Sequence, residues 1–158
     1  MKLKNNFKLE ENFYINEFLS DVDSVKANEE QISKVTKLAI RMQEFRDMVK
    51  RELRVTSGIR SVRYNASIGG SKNSNHLKGE ACDFEMVVRI NGKVIEDYGK
   101  WTVETLLPVF EKCGFGNVGF YKDGEKFMWI HADIGTPWNA EGNWKKYSTF
   151  LSYQIVEV

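Results

Sequence analysis

A single long amphipathic segment followed by short strand-like ones constrains this chain more than any other feature. Between Asn28 and Leu53, apolar residues recur at Ile32, Val35, Leu38, Ala39, Met42, Phe45, Met48, Val49 and Leu53. That i, i+3, i+4 spacing predicts a helix with one buried face. Asn28 followed three residues later by Gln31 predicts an N-cap with its capping-box partner. The Met and Phe stripe on this face is read as core rather than as a ligand box. A shorter helix is predicted over residues 10–19, with Phe13, Tyr14, Phe18 and Leu19 facing inward. After Leu53 the signals are those of strands. Arg54–Gly58 reads as a short strand, residues 61–75 as a Ser/Asn/Gly-rich loop, and Ala81–Ile90 as a strand turned by Asn91-Gly92 into Lys93–Glu96. A helix over Trp101–Cys113 ends at Gly114. A second hairpin joins Asn117–Tyr121 to Phe127–Asp133, and a last strand covers Tyr153–Val158. Helices first and a mostly antiparallel sheet afterwards give an α+β class, with N-terminal helices packed on the sheet. With 158 residues and no internal linker, residues 1–158 are read as one domain.

Composition narrows the function classes. A net charge of +1 carries no electrostatic footprint for nucleic acid or a membrane surface, so neither is expected as a partner. No stretch approaches the roughly 18 apolar residues of a membrane span. The first ten residues have charges but no apolar core, so no signal peptide is expected and synthesis is cytoplasmic. Cys82 and Cys113 are too few for a disulfide framework or a thiolate metal cage and are read as small buried hydrophobes.

The chain has only two histidines. His76 stands in Ser74-Asn75-His76-Leu77-Lys78-Gly79-Glu80-Ala81-Cys82-Asp83, and His131 in Trp129-Ile130-His131-Ala132-Asp133. Gly79 frees the chain to turn between His76 and Asp83. In a strand Asp83 points away from Cys82 and Phe84, and a carboxylate in such apolar company is costly to bury unless paired or bound to a cation. Adjacent strands lie ~4.8 Å apart, so Asp83 and His131 can share one ion. On these residues alone, a hydrogen-bonded histidine and a metal ligand both stay open.

The larger pattern resembles the M15 family of zinc D-Ala-D-Ala carboxypeptidases and peptidoglycan endopeptidases. Its first motif, Ser-x-His-x-x-Gly-x-Ala-x-Asp, is matched by Ser74, His76, Gly79, Ala81 and Asp83. Upstream, Thr56-Ser57-Gly58-Ile59-Arg60-Ser61 with Asn65 and Gly69-Gly70-Ser71 is similar to the stretch holding the family's substrate-binding arginine. Downstream, Val118-Gly119-Phe120-Tyr121 and His131-Ala132-Asp133-Ile134-Gly135 resemble the phage-type branch with an HxD second motif. The resemblance spans roughly residues 7–138. It implies a hedgehog/DD-peptidase-like fold and zinc (Zn2+) held by His76, Asp83 and His131, with a fourth position open for water. It implies substrate contacts from Arg60 and Ser74, although Ser74 also suits a turn. Peptidoglycan stem peptides are the implied partner and a monomer the expected form. A chain without a leader then reaches the cell wall by phage-mediated release or as part of a virion.

The sequence departs from the family at one point. Many members carry the general base two or three residues before the second histidine, where this chain has Trp129 and Met128. Asp133, two residues after His131 on the same strand face, has two roles open to it. It is either the catalytic base or the group that orients His131. Glu125 and Asp123 in the preceding turn, and Glu80 and Glu85, are weaker candidates. The alternative to a peptidase is a non-catalytic zinc-binding module, since hedgehog-type signalling domains resemble this superfamily's site.

Overall fold

The computed structural model describes residues 6–158. Met1–Asn5, which open the segment read for a leader, lie outside the described residues. The architecture is α+β. A small hairpin pairs β1 (Lys8–Glu10) with β2 (Phe13–Tyr14). The 3-10 turns Ile15–Phe18 and Val22–Lys26 lead to the long helix α1 (Glu29–Val49). The predicted helix over residues 10–19 is therefore corrected to a hairpin and a 3-10 turn. Phe13, Phe18 and Leu19 are buried as expected, but Tyr14 is exposed.

Helix α1 begins as its sequence predicts. Asn28 Oδ1 accepts from Gln31 N at 2.8 Å while Gln31 Oε1 accepts from Asn28 N at 2.9 Å, so two backbone donors at the helix start are satisfied reciprocally. It ends earlier than its apolar stripe suggests. Lys50 takes a left-handed φ of 54° and donates its N–H to Arg46 O. Leu53 is buried from a strand instead, opposite Met86.

Strand β3 (Glu52–Ser57) precedes a short helix α2 (Val62–Ser67), capped by Ser61 Oγ accepting from Tyr64 N. A helix thus sits inside the segment predicted as loop. The 3-10 turn Asn75–Lys78 then feeds β4 (Ala81–Ile90), β5 (Lys93–Glu96) and α3 (Val103–Lys112). The sheet is completed by β6 (Asn117–Asp123), β7 (Lys126–Asp133), β8 (Lys145–Lys146) and β9 (Ser152–Glu157). Its order is β3-β4-β7-β6-β9-β8, with β5 paired to the far half of β4. All pairings in it are antiparallel except β6 with β9, which is parallel.

Strand alternation decides where the site lies. Cys82, Phe84 and Met86 of β4, Ile130 and Ala132 of β7, and Val118 and Phe120 of β6 are buried on one face. Helix α1 covers that face. Phe45 stacks on Phe110 with centroids 4.1 Å apart and meets Phe84 edge-on at 5.8 Å, and the Cys82 thiol lies 3.6 Å from Met42 Sδ. Both cysteines are buried and free. The intervening residues, Asp83, His131 and Gly119, face the other way. Among the described residues no helix is long and apolar enough to cross a membrane.

Candidate metal centre and its cleft

Register across the sheet builds the site. Asp83 of β4 pairs with His131 of β7, His131 with Gly119 of β6, and Gly119 with Gln154 of β9. These four residues form one row across four strands. Gly119 keeps the row open, because a Cβ there would lie 3.2 Å from the Tyr121 ring and 3.5 Å from His131 Cβ. In the next row Trp129 stacks on Tyr121, centroids 4.5 Å apart, as an aromatic shelf. Trp129, two residues before His131, is thus part of that shelf.

His76 enters from the 3-10 turn Asn75–Lys78. Ser74 caps this turn by accepting from His76 N, and the turn closes at Gly79 with φ 77°. A Cβ on Gly79 would collide with the Gln31 carbonyl, so this close approach to α1 needs glycine as well as the positive φ. The His76 Nδ1–H donates to Gly58 O at 2.8 Å, since a carbonyl can only accept. Its Nε2 then faces Asp83 Oδ1 at 3.3 Å. Burial lowers the His76 pKa more than the Asp83 carboxylate raises it, which favours a neutral ring. A lone pair on Nε2 therefore confronts a carboxylate oxygen, an arrangement that a cation between them would satisfy.

His131 is held from both sides, with Nδ1 3.1 Å from Asp83 Oδ1 and Nε2 2.8 Å from Asp133 Oδ2. Burial alone would lower its pKa, but hydrogen bonds to Asp133 and Asp83 outweigh this and push it up to about 10. For Asp83 burial opposes ionisation, and the bonds from His131 and His76 overcome it, holding the carboxyl well below the usual range. His76, Asp83 and His131 each offer one ligand atom, all within 4.8 Å of one another. Zinc–nitrogen and zinc–oxygen bonds of about 2.0–2.1 Å in a tetrahedron require ligand atoms about 3.3 Å apart. The two edges that meet at Asp83 Oδ1, 3.3 and 3.1 Å, are close to that spacing.

Arg60 locks the other carboxylate oxygen. Its Nη2 donates to Asp83 Oδ2 at 3.1 Å, its Nε to Ser57 Oγ and its Nη1 to Asn65 Oδ1. Buried Asn65 is itself tied to Ser71 O through Nδ2.

Asp133 is 1% exposed, and all its partners donate. Oδ2 accepts from His131, while Oδ1 accepts from Asn117 Nδ2 at 2.8 Å and Gly135 N at 3.1 Å. It lies on the side of the imidazole away from Asp83. The other sequence candidates for a base lie elsewhere. Glu125 projects from the β6–β7 turn, six residues and about 20 Å of strand from His131. Asp123 ends β6 at that same turn. Glu80 pairs with Lys34 of α1 at 2.8 Å, and Glu85 with Arg54.

Asn117 is the functional residue that sequence reading passed over. Fully buried, it donates through Nδ2 to Asp133 and to Thr136 O, and accepts at Oδ1 from Trp138 N. One side chain thus joins the His131 support to the loop over residues 134–144. The alternation Asn117/Gly119/Tyr121 against Val118/Phe120 was the available signal, since it puts Asn117 on the face of His131. That loop walls a cleft of about 390 Å³ whose lining includes His131, Asp133, Trp138, Glu141, Trp144 and Gln154. Ser74 and Asn75 line its opposite side. The Trp144 ring lies edge-on to His131 at 6.4 Å. Trp138 and Trp144 therefore face the cleft, whereas Tyr147 and Phe150 are exposed.

Two imidazoles and a carboxylate could hold a metal ion with three protein ligands, the number found in catalytic zinc sites, and one of them, His131, lines the cleft. A family model described as Peptidase M15 matches residues 11–133, a span that contains Arg60, the three ligand residues and Asp133. The chain belongs to the Peptidase M15 family. Sequence comparison found no similar curated protein.

Proposed function

We propose that the protein is a zinc-dependent peptidase acting on the stem peptides of peptidoglycan. The observation that carries this reading is the convergence of His76 Nε2, His131 Nδ1 and Asp83 Oδ1. The remaining nitrogen of each imidazole is tied back to the protein, by Gly58 O and by Asp133. With Gly58 O and Asp133 accepting at the outer nitrogens, each neutral ring keeps its proton there, and in His131 a bound metal would replace the second proton on Nδ1. Such support typically changes metal affinity about 10–100-fold. A zinc ion held by His76, Asp83 and His131 would supply Lewis-acid chemistry, polarising a scissile carbonyl and lowering the pKa of water toward about 7.

The chain's own residues do the rest. Asp133 orients His131, because three donors engage it and burial behind the imidazole leaves its remaining lone pair without access to solvent. Arg60 holds Asp83 so that only Oδ1 faces the histidines. Its bonds to Ser57, Asn65 and Asp83 use three of five N–H donors, and the other two suit a substrate carbonyl or terminal carboxylate. Ser74 serves the turn that presents His76 and borders the cleft. The cleft beside His131, walled by Trp138 and Trp144 and bordered by Gln154, accepts a peptide segment.

The test incubates zinc-loaded protein with purified muropeptides and follows products by mass spectrometry. A new amine formed only with metal supports the reading, and the product masses identify the bond cut. Stoichiometric zinc with no new amine would point to the non-catalytic zinc module instead.

A further inference from the structure

We propose that Glu141 is the general base of this site, an inference that rests on the peptidase reading. Peptide hydrolysis needs a group that takes a proton from the attacking water and returns one to the departing nitrogen. Trp129 and Met128 cannot do this. Asp83 is engaged by both histidines and Arg60, and Asp133 is enclosed behind His131. Among the described residues, the cleft beside His131 is lined by one further carboxylate, Glu141.

Its placement is built rather than incidental. Asn117 Oδ1 accepts from Trp138 N at the start of the loop, and Ser152 Oγ accepts from Asn139 N at 2.8 Å. Turn bonds run from Glu141 N to Trp138 O and from Trp144 N to Glu141 O. Asn139 and Ala140, immediately before Glu141, hold left-handed φ values of 47° and 70°, a conformation that non-glycine residues adopt rarely. These residues are exposed, and the turn bonds on either side set Glu141 between Trp138 and Trp144 on the cleft wall. Residue 141 lies beyond the span matched to the Peptidase M15 family, so this assignment comes from the fold and not from a motif.

The step balances. As the water oxygen bonds to the scissile carbonyl carbon, the Glu141 carboxylate accepts one of its protons. When the carbon–nitrogen bond breaks, the carboxylic acid gives that proton to the nitrogen, leaving an amine, a carboxylic acid product and the Glu141 carboxylate restored.

The experiment compares the full-length zinc-loaded wild type with Glu141→Gln and Glu141→Asp on muropeptides, measuring kcat and KM. Zinc affinity is measured by chelator competition, and binding of the product peptide by calorimetry. For Glu141→Gln, kcat should fall by about 10²–10⁴, with zinc affinity and product binding within about threefold of wild type by the same logic of transition-state-only loss. Glu141→Asp should recover part of the rate. A kcat loss below tenfold in Glu141→Gln while the wild type is active would overturn the assignment and leave the peptidase reading intact. Loss of zinc in step with loss of rate would overturn it too, making Glu141 a support for the metal. A wild type that releases no amine would remove the peptidase reading and this inference with it.

Discussion

Replacing Asp133 by asparagine separates the two roles that this carboxylate could play. Its three neighbours, His131 Nε2, Asn117 Nδ2 and Gly135 N, all donate to it. A carboxamide has one accepting oxygen and one donating NH2, so it cannot satisfy both sides. If its oxygen faces His131, its NH2 confronts the Asn117 amide at about 2.8 Å. Asn117 cannot flip to relieve this without losing its bonds to Thr136 O and Trp138 N. A buried donor left unpaired costs about 1–3 kcal/mol. At 2–4 °C per kcal/mol for a chain of this size, that lowers Tm by about 2–12 °C. If instead the NH2 faces His131, the imidazole must accept at Nε2 and carry its proton on Nδ1, the atom turned toward Asp83. Zinc affinity then falls by about 10–100-fold. Chelator competition and thermal melts of the stripped protein read the two costs independently. An Asp133→Asn protein that keeps wild-type zinc affinity and Tm but loses more than a hundredfold in kcat would refute the argument. That result would make Asp133 the base.

Two further outcomes are expected. Gly58→Ala would drive a Cβ into the Phe18 backbone, 2.6 Å from its Cα, and would displace the carbonyl that orients His76. Overpacking of about 1–3 kcal/mol should appear in denaturant melts alongside weaker zinc binding, and an unchanged midpoint would contradict the packing reading. Burial pushes the Cys113 thiol up to about 11 and Cys82 well above its ordinary range, so both stay protonated at pH 8. Native protein should therefore react with thiol reagents far more slowly than urea-unfolded protein, and two rapidly titrating thiols in the native state would show the burial to be wrong.

Much of the fold was legible because its signals are local. The capping box at Asn28 and Gln31, the alternation of Ala81–Ile90 and the Asn91-Gly92 turn each act through neighbours a few residues apart. The ends of α1 were less legible. Leu53 continues the apolar period of the helix, yet Lys50 turns left-handed and Leu53 is buried just as well from a strand. The segment around Phe13 failed for a related reason, since burying Phe13 and Phe18 does not require the chain between them to be helical. The site divided in the same way. Ser74 to Asp83 announces two ligands because a short turn brings them together. Asn117 reaches Asp133 only through strand register, and Glu141 reaches the cleft only through the loop that walls it.

Periodicity and turn signals were enough to determine an α+β chain, and the family resemblance of the two histidine motifs was what pointed to His76, Asp83 and His131 as a candidate metal set. Those properties follow from the identity and spacing of near neighbours. The tertiary structure decided what surrounds those residues. Pairing β7 between β4 and β6 places Asp133 beneath His131 with three donors around it, and the parallel return of β9 brings Gln154 into the ligand row. Whether a carboxylate can accept a proton depends on which donors already occupy its lone pairs. Of the three donors to Asp133, His131 and Gly135 are two residues away and follow the strand, whereas Asn117 is sixteen residues away and is brought in only by the folded sheet.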